Sequence, residues 1–351
     1  MAHTHGSLAH QTDFDGMASP VLVEVTRSDD VESRHRAAAV IMTAEGSVIE
    51  TWGDPALPVF PRSAIKPVQA MPLILSGAAD AFNLSDAELT IACGSHNGEP
   101  GHVDLVEKWL KRIGCTPDDL GCGGHLPYHA LSAETLLRQG GSPSRLHDNC
   151  SGKHTGFLTL ARHLGVPVQG YLKPDHPVQR EVMKAMSFMT GFTPAATASG
   201  VDGCGIPAYA FPLQTLAWSI ARFGAPEILP DTYAAAAARL GNAITAAPWY
   251  IAGTARFCTV AMEALRGRII VKAGAEGVFM AAFPAKKIGV ALKIHDGAAR
   301  AAEVLMAGLI RRIEEIDLAA YPALYELASP TLRTRTGEPT GHIRLAANAG
   351  I

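Results

Sequence analysis

The chain has 351 residues, 48% of them hydrophobic and 18% charged, with a formal net charge of −3. That is enough apolar material to bury a real core, as one large domain or two lobes. Without a basic surplus it is not expected to neutralise phosphates, which excludes nucleic acid as a partner. No apolar run reaches the ~18 residues of a membrane span.

Residues 1–19 read as a disordered lead. The stretch Met1–Pro20 is polar, carries His3, His5 and His10, and lacks the apolar core of a secretory signal. Val21–Arg27, His35–Thr43 and Ser47–Trp52 read as a small antiparallel meander, the last two joined by the turn at Glu45-Gly46. Ser63–Leu75 reads as one helix. Pro67 suits its first turn, whereas Pro72 should kink or shorten it. Gly101–Ile113 has a helical pattern and Ala234–Ala247 is helical by propensity. Strands return at Arg268–Lys272, Gly277–Phe283 and Ile288–Ile294, followed by an amphipathic helix over Gly297–Ile316. The tail, Ser329–Ile351, is turn-rich with one short strand at His342–Leu345.

Strands at both ends with helices between close most simply as one antiparallel sheet carrying a helical lobe. The expected fold class is therefore α/β in the α+β sense. Residues 20–351 form a single domain, with a sheet lobe from 20–60 plus 250–351 and a helical lobe over 61–249. Six cysteines (Cys93, Cys115, Cys122, Cys150, Cys204, Cys258) without a signal peptide fit a reduced, cytoplasmic protein.

Three short motifs carry candidate chemistry. Ser63 and Lys66 form S-x-x-K, a spacing that puts hydroxyl and amine on one helix face. Ser63 also stands at the helix start, where free backbone N–H groups support developing negative charge. A serine hydroxyl needs an adjacent base, and a lysine serves only if burial or nearby cations lower its pKa. Arg62 is one such cation. Taken alone, the motif fits an N-cap serine and a solvated lysine equally well. Ser95-His96-Asn97 adds S-x-N, and Lys272-Ala273-Gly274 adds K-x-G at a strand end. In that order the three are the signature set of serine β-lactamases and penicillin-binding proteins. Gly274 would let an edge strand approach closely, and Lys272 would place charge beside Ser95.

A second constellation is His147–His154, answered by Asp202-Gly203-Cys204-Gly205. Cys150 and Cys204 on separate Gly-rich turns could meet as two zinc ligands, with His154 as the ordinary third donor. Two buried, inert cysteines are the plain alternative. Gly121–His125 lacks the features of a phosphate loop and reads as a plain loop, with Cys122 too isolated for a zinc pattern.

Pro61–Pro67, Cys93–Glu99, Asn149–His154 and Val201–Gly205 together resemble the rhizobial-type L-asparaginases, with likeness running from about Pro20 to Asp317. The resemblance implies hydrolysis of L-asparagine to L-aspartate and ammonia, a serine β-lactamase-like fold also similar to serine-dependent glutaminases, and a homodimer. It implies two Ser–Lys tandems, Ser63 with Lys66 and Ser95 with Lys272. It also implies a zinc ion on Cys150, Lys153 and Cys204, which displaces His154 from the ligand set. Arg62, His96, Asn97, His154 and Asp202 then fall among the substrate-binding residues, with Asp202 suited by charge to an α-amino group. Two other readings stand beside this one. One is a β-lactamase, DD-peptidase or glutaminase-type amidohydrolase. The other is an amino-acid sensor that keeps the pocket without the chemistry.

Overall fold

The computed structural model describes residues 19–193 and 199–351. The expected disordered lead, residues 1–19, lies outside these except for Ser19. The strands described are β1 Val21–Arg27, β2 Asp30–Thr43, β3 Val48–Trp52, β4 Pro58–Val59, β5 Ser199–Val201, β6 Pro207–Tyr209, β7 Phe211–Pro212, β8 Ile270–Gly274, β9 Val278–Phe283, β10 Ile288–Ile294, β11 Thr331–Arg333 and β12 Pro339–Leu345. The main sheet runs β11-β12-β1-β2-β10-β9-β8, with β3 also on β2. Its neighbours pair antiparallel. The two expected meanders join where β10 pairs with β2, from Ile288↔Thr43 to Ile294↔Ala37. The mixed fold with an antiparallel sheet from both chain ends is the class expected.

β2 makes that junction through its composition. Its first residues alternate in exposure, so one face there meets solvent, whereas Ala37–Met42 is buried at consecutive positions. Consecutive burial means that both faces are covered. The helix Leu213–Gly224 packs on β2, β9 and β10, and Ala299–Glu314 packs on β1, β9, β10 and β12. At Gly289 a Cβ would lie 2.2 Å from the Ala217 carbonyl oxygen, so the first helix rests on bare strand backbone. Fully buried side chains such as Leu292, Phe283 and Leu305 contribute about 1.5–3 kcal/mol each.

Three elements differ from expectation. The Ser63–Leu75 helix is broken into a 3₁₀ turn Arg62–Ile65 and short helices Lys66–Ala70 and Pro72–Leu75. Pro72 has no N–H to continue the ladder, so the helix stops before it. The tail forms two strands, and β12 covers the edge of β1. Its alternating burial is hidden in a polar sequence. Finally, Leu213–Gly224 lies within the expected helical segment 61–249 yet packs on the sheet, so the two lobes interlock. Among the described residues no helix is long and apolar enough to cross a membrane.

Candidate active site

The 3₁₀ turn that carries Ser63 begins in a strained backbone. Arg62 has φ +51°, in the left-handed region, at a cost of about 1–2 kcal/mol for a residue with a Cβ. β8 presses on this turn. A Cβ on Gly274 would sit 2.6 Å from the Pro61 carbonyl oxygen and 3.1 Å from Ala64 N. Gly274→Val should therefore push Ser63 out of place. Overpacking of this kind costs about 1–3 kcal/mol of stability, and kcat should fall about 100-fold from the misplacement, as read by denaturant melts and ammonia release.

Ser63 is part-exposed, and among the described residues its Oγ makes no hydrogen bond. The expected Ser63–Lys66 contact is not formed. Lys66, 1% exposed, turns inward and donates to Gly94 O at 2.5 Å, Ser95 Oγ at 2.9 Å and Cys150 Sγ at 3.2 Å. These three acceptors match the three protons of an ammonium, which is why the amine leaves Ser63 for the interior.

Ser95 is the hub. It follows the helix Asp86–Ala92, whose Ser85–Glu88 capping box anchors its start. Lys272 Nζ lies 2.9 Å from the same Ser95 Oγ and donates to Ala273 O at 2.7 Å. Burial, then the charge of Lys66, lowers the Lys272 amine to about 7. The second expected tandem, Ser95 with Lys272, is thus in contact, and Lys66 joins it.

Cys150, Lys153 and Cys204 also come together, at the start of the buried helix Ser151–His163. Lys153 Nζ donates to Cys204 Sγ at 2.9 Å. A hydrogen bond from Cys204, then the charges of Lys153 and Lys66, hold the Cys150 thiol well below its usual range against the opposing effect of burial. The Cys204 thiol is correspondingly pushed up, by that same bond and by burial. The pair therefore lies between two lysines, Lys153 on Cys204 and Lys66 on Cys150. Cys150, Lys153 and Cys204 are all buried; the two sulfurs are ordinary zinc donors, but Lys153 could join them only by losing a proton that, against burial, the charges of Cys150 and Cys204 hold on its amine. His154, the donor chosen from spacing alone, has its Nδ1 2.6 Å from Tyr171 Oη. Its Nε2 is buried without a partner.

Three expected substrate residues are buried and hydrogen-bonded within the protein. His96 is wholly buried. Its Nε2 contacts Ser151 Oγ at 2.9 Å and its Nδ1 accepts from Gly98 N at 3.1 Å. Burial, then the neighbouring His102, keeps it neutral. Asn97 donates to Glu99 and Thr254 and accepts from Arg256. His154 is buried with Tyr171. All three brace the loops. Arg62 and Asp202, by contrast, are part-exposed and paired, with Nε and Nη2 at 3.3 and 3.2 Å from Oδ1. Gly203 N also uses Oδ1, which leaves Asp202 Oδ2 available. Burial would raise that carboxyl, but Lys153 and Arg62 outweigh it and hold it low.

The sequence reading gave no role to Glu99, Arg256 or Cys122. Glu99 closes the Cys93–Glu99 motif, and both its oxygens hold Thr254. Arg256 belongs to no motif. Cys122, set aside in a plain loop, has its thiol pushed up by burial and then by the charges of Asp148 and Cys150, and Tyr171 Oη accepts from Gly121 N at 2.6 Å.

Fold and site together define a mixed helix and antiparallel-sheet protein that gathers serine hydroxyls and lysine amines in one buried cluster. The family model described as L-asparaginase II matches residues 23–345. The chain belongs to that family and is a hydrolase acting on amides. It is also similar to two solved structures. One is of a protein called Mglu, at 15% identity and TM-score 0.46, covering 86% of this chain and 72% of that one. The other is an octameric penicillin-binding protein homologue from Pyrococcus abyssi, at 12% identity and TM-score 0.35, covering 83% and 76%. No curated protein matches the chain.

Proposed function

We propose that the protein is an L-asparaginase, hydrolysing L-asparagine to L-aspartate and ammonia through a serine nucleophile in a double Ser–Lys arrangement. The observation that carries this reading is the Ser95 hydroxyl held between Lys66 and Lys272, beside the part-exposed Ser63. Ser63 Oγ attacks the side-chain carboxamide carbon. Lys66 first gives a proton through Ser95 to the neutral amine of Lys272; the freed Lys66 amine then turns to Ser63 and takes its proton. Free backbone N–H groups at the start of the Ser63 turn support the oxyanion. The same chain returns a proton to the departing ammonia, and water then cleaves the acyl-enzyme by the same path. Asp202 Oδ2 receives the α-ammonium of the substrate, with Arg62 holding the carboxylate in place. A second reading makes Ser95 the nucleophile, because its base already lies 2.9 Å away.

Cys150, Cys204 and Lys153 would hold one zinc ion per subunit. When bound, zinc would supply positive potential beside the reacting carbonyl and stiffen the turn at Ser151. Elemental analysis should find one zinc per chain, lost in Cys150→Ser and Cys204→Ser. Chelated wild type should keep measurable turnover and melt at a lower temperature; complete loss of turnover would mean that the ion is essential to the chemistry. The same reading makes the protein a cytoplasmic homodimer, in keeping with six free, buried thiols.

Ammonia release from L-asparagine, compared with L-glutamine and with nitrocefin cleavage, tests the activity. Asparagine should be the preferred substrate. Nitrocefin cleavage without asparagine hydrolysis would favour a β-lactamase-like enzyme. Calorimetric binding of asparagine without ammonia release would make the protein a sensor.

A further inference from the structure

Lys272 lines a small internal cavity whose other polar walls are Ser95, Arg256, Cys258 and Glu303. An amine has three positions for hydrogen bonding. Two of those on Lys272 are taken, by Ser95 Oγ at 2.9 Å and by Ala273 O at 2.7 Å. Among the described residues the third has no partner in the protein. The cavity leaves about 10 Å³ for the centre of a water molecule, which is room for about one. A buried water needs two to four polar partners. The Lys272 amine, Ser95 Oγ, the Arg256 guanidinium and the Glu303 carboxyl supply them.

Glu303 joins this cavity to the outside. It stands near the start of the helix Ala299–Glu314 and is part-exposed, whereas Lys272 is 1% exposed. Among the described residues its carboxyl makes no hydrogen bond or ion pair within the protein, so it is free to hold a water. Burial pushes that carboxyl up, and the charge of Arg256 opposes the rise. The guanidinium itself is fixed by Asn97 Oδ1 at 3.0 Å.

Hydrolysis by the serine route leaves a proton behind. Ammonia departs with the proton of the attacking serine. Water then brings two hydrogens: one restores the serine, and the other is released as the new acid ionises. Ammonia has left before water acts, so it does not carry that proton away. The proton stays on the relay that ends at buried Lys272, whose amine must be neutral again before the next turnover.

We propose that Glu303, through one water in this cavity, passes the proton of each turnover from Lys272 to solvent. This rests on the Ser–Lys reading above and deepens it. An N–H bond of the Lys272 ammonium breaks, the water takes that proton and gives one of its own to the Glu303 carboxylate, and the carboxyl releases it at the surface. Glu303 touches no substrate and acts only through Lys272.

In weak buffer near pH ~8, Glu303→Gln should lower kcat for ammonia release about 100-fold and leave KM within about threefold. Glu303→Ala should lose as much, and added formate, a small carboxylate, should restore it without changing wild type. A kcat unchanged within about threefold in both variants would overturn the proposal. So would a loss that formate does not restore, because that marks a structural role. A high-resolution crystal structure of the wild type needs no turnover and keeps the two readings apart. A water within about 3.2 Å of both Lys272 Nζ and a Glu303 oxygen supports the outlet even if L-asparagine proves not to be the substrate. A cavity without that water overturns it, whatever the variants do, and decides the matter if neither variant folds.

Discussion

Ser63→Ala is expected to lower kcat for ammonia release by about 10⁴–10⁶, the loss seen when a nucleophile acting as part of a unit is removed. Ser95→Ala is expected to cost about 10²–10⁴, the range of a proton-transfer group. The difference follows from access and occupancy. Ser95 is 8% exposed and its oxygen already faces two amines, so a substrate carbonyl must displace one of them to reach it. Ser63 is part-exposed and unencumbered, on a turn whose first residue is held in the left-handed region. Ser63→Ala should keep the wild-type melting temperature within a few degrees, whereas Ser95→Ala takes an acceptor from two buried amines and should cost about 1–3 kcal/mol of stability. Mass spectrometry of peptides from enzyme quenched during turnover should place the acyl group on Ser63. A trapped acyl group on Ser95, with Ser63→Ala still active, would make the Ser95–Lys272 pair the nucleophile and base.

A rise in kcat/KM with pH, about tenfold per unit and levelling above a midpoint near 7, is the second expected result. Burial and then the charge of Lys66 bring the Lys272 amine down to about 7, and the proton path needs this amine neutral. It is protonated and inactive below that pH, and free to accept above it. Lys272→Met should remove the ascending limb and lower the plateau by about 10²–10⁴. A pH-independent or acid-favoured profile in wild type would exclude a lysine base. The same ionisation acts on stability with a defined sign. Between about 7 and the ordinary value of 10.5, the unfolded chain holds a proton on this residue that the folded protein does not. Stability linked to Lys272 therefore rises with pH across that window and is flat below it.

The strand segments at both ends were legible from their apolar, β-branched runs, and one antiparallel sheet was the simplest closure for them; that β2 and β10 are the strands that meet was decided by the fold. The Ser63–Leu75 segment was less legible, because the helical pattern is real but Pro72 interrupts its hydrogen bonds. β12 was half hidden, since only Gly341 and Ile343 on it are buried and its pairing with β1 is non-local. The site shows the same division. Ser95 and Lys272 come together as the motifs implied, because S-x-N sits at the end of one helix and K-x-G on an edge strand.

What the motifs could not express was competition for partners. Lys66 has Ser63 three residues away, yet donates to Ser95, Gly94 and Cys150, because a buried ammonium takes the acceptors that satisfy all its protons. His96, Asn97 and His154 stand in motifs beside reactive groups, yet turn into the core and brace it. Arg256 lies 161 positions from Ser95 in the sequence and carries no signature; only folding puts both in one cavity. The amino-acid sequence by itself determined the kinds of chemistry present: two serines, three lysines and two cysteines in short motifs. The tertiary structure alone decided which amine faces which hydroxyl, which thiol each lysine faces, and which motif residues turn into the core. Those outcomes depend on distance and burial, which act between groups far apart in the chain.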